Sequence, residues 1–163
     1  MAACLTKDKT GFTARFERYI NHPIEKVWSM LTENAQLKKW FPELSIEDLR
    51  KDGVIKFDMQ DGTFEEMKIL DLEAPFILEY TWGEDKVRFE LEQHLEGCKL
   101  VMNEKLNGIT SHTPRDLAGW HVCLDVIETL LDGKEFSHPQ EIWEKHFKEY
   151  NQIIEDYLKK TQI

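Results

Sequence analysis

Val87-Arg88-Phe89-Glu90-Leu91-Glu92 alternates apolar and charged residues without a break, the signature of a strand with one face on a core and the other in water. Further on, Thr113-Pro114-Arg115-Asp116 opens a stretch with a different period. There Leu117, Trp120, Cys123, Leu124, Ile127, Leu130 and Leu131 fall on one half of a helix, and His121, Asp125, Glu128, Thr129 and Asp132 on the other. This change of period separates a β region from a helical one and decides the fold class.

Working outward, the helix has a clear start and a clear interruption. Thr113 is the expected N-cap, Pro114 suits the first turn, and Asp116 is placed to answer the cap. Asp132-Gly133 breaks the helix and Ser137-His138-Pro139-Gln140 restarts it. Trp143, Phe147, Tyr150, Ile154, Tyr157 and Leu158 then prolong the apolar stripe. Such a stripe either completes its own domain or presents a face to a partner.

Towards the N-terminus, turn residues divide the chain at Asp52-Gly53, Asp61-Gly62, Gly83-Glu84-Asp85 and Glu96-Gly97. They leave six expected strands, at 45–50, 54–59, 64–72, 76–82, 87–94 and 99–106. An earlier strand covers 12–20, with Ala14, Phe16, Arg18 and Ile20 on one side. Pro23 then starts a short helix carrying Ile24, Val27, Trp28 and Leu31, and a second short helix covers 35–40. Strands followed by helix make an α+β domain. The 163 residues read as one domain, 1–163, with 1–11 as a flexible N-terminus.

Composition excludes several function classes. Lys and Arg number 21 against 31 Asp and Glu, a net charge of −10. Nucleic-acid binders and anionic membrane surfaces need the opposite excess, so neither partner is expected. No stretch matches a membrane span or the apolar core of a signal peptide, and the chain is expected to be cytoplasmic. Cys4, Cys98 and Cys123 are odd in number and far apart, which predicts reduced thiols. No metal site is expected. His94 and Cys98 flank a turn, His121 and Cys123 diverge on the helix, and neither a Cys-x-x-Cys pair nor a His-Glu-x-x-His helix occurs. The eight glycines are scattered singly, so no phosphate loop and no cofactor is expected, and no Gly-x-Ser-x-Gly elbow is present.

One carboxylate breaks its pattern. In Lys99–Leu106, the residues Leu100, Met102, Glu104 and Leu106 share a face, which would turn Glu104 towards the apolar side. An unpaired buried carboxylate takes a raised pKa and serves to orient a ligand or as a general acid or base. The alternative is a strand-end bulge, or pairing with a base such as Arg18.

The run Arg15-Phe16-Glu17-Arg18-Tyr19-Ile20-Asn21-His22-Pro23-Ile24-Glu25-Lys26-Val27-Trp28, followed by Leu37-Lys38-Lys39-Trp40-Phe41, resembles the opening of proteins similar to the C-terminal domain of the activator of heat-shock protein 90 ATPase. Gly62–Leu70, Leu78-Glu79-Tyr80-Thr81-Trp82 and Gly119-Trp120 match it in order. The resemblance spans most of residues 12–131 and implies a START-like (SRPBCC) helix-grip fold. That fold is a curved, six- to seven-stranded antiparallel sheet around a long or broken C-terminal helix, with two short helices closing one end. The chain departs from the family pattern in its long segment after Leu131, and in lacking the N-terminal domain of the eukaryotic activators.

The resemblance also implies a cavity between sheet and helix. Trp40, Phe57, Tyr80, Trp82, Phe89 and Trp120 either fill it or line it, and Met102, Glu104 and Leu124 complete the candidate ligand-binding set. The expected function is binding of a small hydrophobic molecule, lipid-like or polycyclic aromatic, with Glu104 or Tyr80 fixing its orientation. The alternatives are a cyclase- or hydrolase-like enzyme on a bound polyketide-type substrate, and a co-regulator of a chaperone ATPase in the stress response, with a chaperone as partner. The catalytic residues of such an enzyme are not assigned by the sequence.

Overall fold

The Val87–Glu92 alternation becomes part of a ten-residue strand, and its neighbours follow the same rule. A computed structural model describes residues 1–161. In chain order the elements are β1 (Cys4–Asp8), β2 (Gly11–Ile20), α1 (Ile24–Thr32), α2 (Asn34–Trp40), β3 (Leu44–Ile46), β4 (Val54–Asp58), β5 (Phe64–Glu73), β6 (Ile77–Trp82), β7 (Asp85–His94), β8 (Gly97–Leu106), α3 (Thr113–Leu131) and α4 (Pro139–Thr161). The strands form one sheet in the order β1-β2-β8-β7-β6-β5-β4-β3. Every pairing is antiparallel. This is the expected α+β helix-grip architecture, with a curved sheet and a C-terminal helix in its grip.

The sheet has eight strands, one more than the upper expectation. The extra one is β1, which occupies the segment read as a flexible N-terminus and pairs from Cys4↔Arg15 to Asp8↔Gly11. Its residues are mostly exposed, so no apolar alternation marks it. Its lead-in is tied from far along the chain, where the Ala3 N–H donates to the Tyr150 hydroxyl at 2.9 Å.

The core lies between the inner face of the sheet and α3. Strand β8 buries Cys98, Leu100, Met102, Glu104 and Leu106 in strict alternation, and β7 buries Val87, Phe89 and Leu91. From α3, Leu117, Ala118, Trp120, Leu124 and Ile127 pack onto them. Helices α1 and α2 carry the chain across to the far edge of the sheet and bury Val27, Leu31, Leu37 and Trp40. Helix α4 packs back on the rest of the chain, burying Tyr150 and Ile154 and setting Trp143, Phe147 and Leu158 against the core. Cys4, Cys98 and Cys123 are free thiols. Among the described residues no helix is long and apolar enough to cross a membrane.

Candidate ligand cavity and buried carboxylates

The aromatic residues are brought together, but they do not share one role. Phe89, fully buried, lies 6.0 Å from Trp120 between ring centroids, and Trp120 lies 5.0 Å from Trp82. Phe57 follows at 5.8 Å from Trp82, with Phe41 within 6 Å of Phe57, Trp82 and Trp120. Most of these pairs are edge-on or tilted, the geometry that ring quadrupoles favour. The chain of rings runs from packed interior to open wall.

That wall belongs to a cavity of about 530 Å³ at one end of the sheet. Phe57, Met67, Trp82 and Leu106 supply apolar surface, and Asp85, Asn107, Thr113 and Asp116 supply polar groups. Its rim includes the β6–β7 turn, where Gly83 holds a left-handed conformation with φ of +60° that costs a glycine nothing sterically. A second space of about 370 Å³ lies on the other side of Trp82 and Asp116, against Phe41, Trp120 and Trp143.

Of the sequence-predicted set, Phe57 and Trp82 line the first cavity, and Trp82 and Trp120 line the second. Trp40, Tyr80, Phe89, Met102 and Leu124 are buried and line neither. Tyr80, Phe89 and Met102 are core because they sit in the middle of the sheet, where α3 packs Leu124 onto it. The Trp40 indole N–H donates to the Met30 carbonyl at 2.7 Å, which fixes that ring within the short helices. Sequence reasoning missed Met67, Leu106, Asp85 and Asp116 as wall residues. Leu106 was in principle visible, because it continues the inward series Leu100, Met102, Glu104.

Glu104 points inward, as the alternation predicted, and is completely buried. It is not paired with Arg18. That residue stands opposite Leu100 in the β2–β8 register and turns towards Asp125 instead, at 3.7 Å. Neither Glu104 oxygen has a hydrogen-bond partner, nor has Oδ2 of Asp116. Burial pushes the Glu104 carboxyl well above its ordinary range, the neighbouring carboxylates of Asp116 and Asp85 push it further, and Trp120 counteracts slightly. The protonated form of Glu104 is therefore favoured, and the residue itself lines neither cavity. Asp85 is also raised, by burial first and then by Asp116, although the Asn107 N–H donates to it at 2.8 Å.

Asp116 links the buried acid to the cavity. It was expected to answer the Thr113 cap, but His112 takes the cap position with no side-chain hydrogen bond, and the Thr113 hydroxyl accepts from the Thr110 N–H at 2.9 Å. Asp116 is thereby free to face the sheet, and its Oδ1 accepts the Trp82 indole N–H at 3.3 Å.

A different polar cluster gathers about two turns further along α3. His121 and Asp125 meet His146 of α4, with the two imidazoles stacked 3.8 Å apart. Burial, then His146, then Arg18 push the His121 imidazolium down to about 3, so that ring is neutral at physiological pH.

The family model for Activator of Hsp90 ATPase homolog 1-like protein matches residues 21–132. The chain belongs to this family. The match runs from the start of α1 to the end of α3 and so includes both ends of the cavity wall, whereas α4 lies beyond it. No curated protein matches the chain. Among solved structures, a conserved protein of unknown function from Enterococcus faecalis is 26% identical with a TM-score of 0.82, over 94% of this chain and 91% of that one. CalU16 from Micromonospora echinospora is 19% identical, TM-score 0.73, over 94% and 96%. DynU16, from the dynemicin biosynthetic locus, is 20% identical, TM-score 0.65, over 75% of this chain and 48% of that one. The last two show a shared fold, and the family's helix-grip frame accounts for the element order of this chain.

Proposed function

We propose that the protein binds a small hydrophobic molecule, neutral or cationic and with an aromatic body, in the cavity walled by Phe57, Met67, Trp82 and Leu106. The observation that carries this reading is the cavity itself. Its size of about 530 Å³ falls among small-molecule sites, and it combines apolar walls with a few convergent polar groups. An aromatic body of tryptophan or phenylalanine size buries ~150–250 Å². At ~25 cal/mol/Å² that is ~4–6 kcal/mol of gross driving force, before the cost of association. DynU16, which shares the fold, comes from a biosynthetic locus, and that setting supports a small organic guest.

Charge narrows the guest. The lining includes Glu65, Glu84, Asp85 and Asp116 but no lysine or arginine, so a fatty-acid carboxylate would enter a field of its own sign. The test is a pair of titrations of the full chain, one with neutral N-phenyl-1-naphthylamine and one with dodecanoate. The expected result is saturable fluorescence enhancement by the neutral dye that dodecanoate displaces poorly. Failure of the dye to bind, or tighter binding of dodecanoate, overturns the reading.

The Glu104–Asp116 pair favours a second reading, acid–base catalysis of the cyclase or hydrolase kind. A buried carboxyl group whose protonated form is favoured, beside a second carboxyl group on the wall, is suited to moving a proton to and from a bound guest. Under this reading Asp116→Asn binds a turned-over compound normally but converts it at least 100-fold more slowly. An unchanged rate removes the reading.

A further inference from the structure

From the geometry we infer that His121, Asp125 and His146 form a binding site for one divalent transition-metal ion of the zinc type. The site joins α3 to α4 and is separate from the cavity.

Three donor atoms converge there. His121 and Asp125 are one helical turn apart on α3, with Nε2 and Oδ2 separated by 3.5 Å. His146 of α4 brings its Nε2 to 3.9 Å from the same Oδ2. All three atoms lie within 4.8 Å of one another. Both nitrogen–oxygen separations exceed the ~2.7–3.2 Å of an N–H···O hydrogen bond. Tetrahedral zinc with bonds of ~2.0–2.1 Å spaces its ligands about 3.3 Å apart. The first pair is already near that spacing, the second needs to close by about half an ångström, and the two imidazoles, stacked with centroids 3.8 Å apart, must splay to turn both Nε2 atoms onto one ion.

The far sides of His121 and Asp125 are held by other groups, as ligands to metals usually are. His121 Nδ1 lies 2.7 Å from the Tyr150 hydroxyl, which itself accepts the Ala3 N–H. His146 Nδ1 makes no hydrogen bond and lies 3.4 Å from Glu149 Oε2, close enough to gain one on a small rotation. Asp125 divides its oxygens, giving Oδ1 to Arg18 at 3.7 Å and Oδ2 to the two imidazoles. That division suits monodentate ligation by Oδ2. Arg18 and the terminal amino group are the cations that act on this cluster, and Asp125, Glu128 and Glu149 are the anions. The cations act against positive charge at His121, so the charge of an ion would be balanced chiefly by the Asp125 carboxylate. His121 is buried, while the side chains of Asp125 and His146 are 30% and 14% exposed, so an ion can enter and water can complete its shell. Two imidazoles and one carboxylate are the donor set of zinc and related first-row ions rather than of calcium or magnesium.

Bound there, the ion would fasten α4 to α3. The test uses the full chain stripped with chelator. Calorimetric titration with Zn²⁺ should show one ion per chain and a rise in melting temperature. Co²⁺ should give visible absorption of a low-coordinate nitrogen–oxygen site. His146→Ala and Asp125→Asn should each lose the binding and the thermal response, and Glu149→Gln should weaken binding about tenfold. His94→Ala, an exposed histidine on β7, should change nothing. Should either ligand variant misfold, Zn²⁺ added to the wild-type chain should shift the imidazole resonances of His121 and His146 together. No Zn²⁺ binding by the wild-type chain, binding that His146→Ala retains within threefold, or unmoved imidazole resonances would each overturn the inference.

Discussion

The two ends of the sheet–helix interface are built from the same residue types and behave differently. In the middle, Tyr80, Phe89, Met102 and Leu124 are sealed between β6, β7, β8 and α3. At the end where α3 begins, Phe57, Met67, Trp82 and Leu106 face an open space of about 530 Å³. The rings are continuous from one region to the other, through Trp120 and Trp82. A helix laid across a curved sheet can be in close contact along only part of its length. Bulky side chains fill the interface where the two meet, and they become walls where they part.

The largest expected effect separates the two regions by stability. Phe89→Ala opens a void in the sealed region and should cost about 3–5 kcal/mol in urea unfolding. Phe57→Ala, at a half-buried wall position, should cost at most about 1.5 kcal/mol. The order should reverse for ligand affinity, where Phe57→Ala weakens dye binding and a folded conservative variant, Phe89→Leu, does not. Equal stability losses at the two sites would break the comparison.

A smaller, pH-dependent effect sits on the boundary between the regions, at Glu104. Its native pKa is raised, so the native state holds the proton more tightly than the unfolded chain does. The stability this confers is complete below the ordinary carboxyl range and is lost as pH rises towards the native value. Glu104→Gln removes that dependence. Its stability advantage over the wild type should therefore grow with pH, by up to about 1.4 kcal/mol per pH unit between about pH 5 and the native pKa. A difference that stays flat with pH would show that Glu104 is ionised or solvated in the native state.

The same contrast explains what could be read from the sequence. The β7 alternation, the period change after Leu106 and the break at Asp132-Gly133 each report a local relation between neighbours, and each reappears in the structure. The inward direction of Glu104 was legible for the same reason. Strand β1 was not, since an exposed edge strand carries no apolar alternation and depends on its pairing with β2 and on Tyr150. Asp116 looked like a cap because its partner Trp82 is brought to it only when α3 crosses the end of β6. His121 and Asp125 were visible on one helix face, but His146 joins them only after α4 packs back on α3. The segment outside the family match thus contributes a third of that cluster and was the hardest part to interpret from spacing alone.

The central claim is that the open end, and not the sealed middle, receives a hydrophobic guest. The five tryptophans, Trp28, Trp40, Trp82, Trp120 and Trp143, report on it directly through their indole N–H resonances during titration with N-phenyl-1-naphthylamine. The account predicts large, saturable shifts at Trp82 and smaller ones at Trp120, with Trp28 and Trp40 unmoved. An unmoved Trp82, or shifts spread equally over all five indoles, would contradict it.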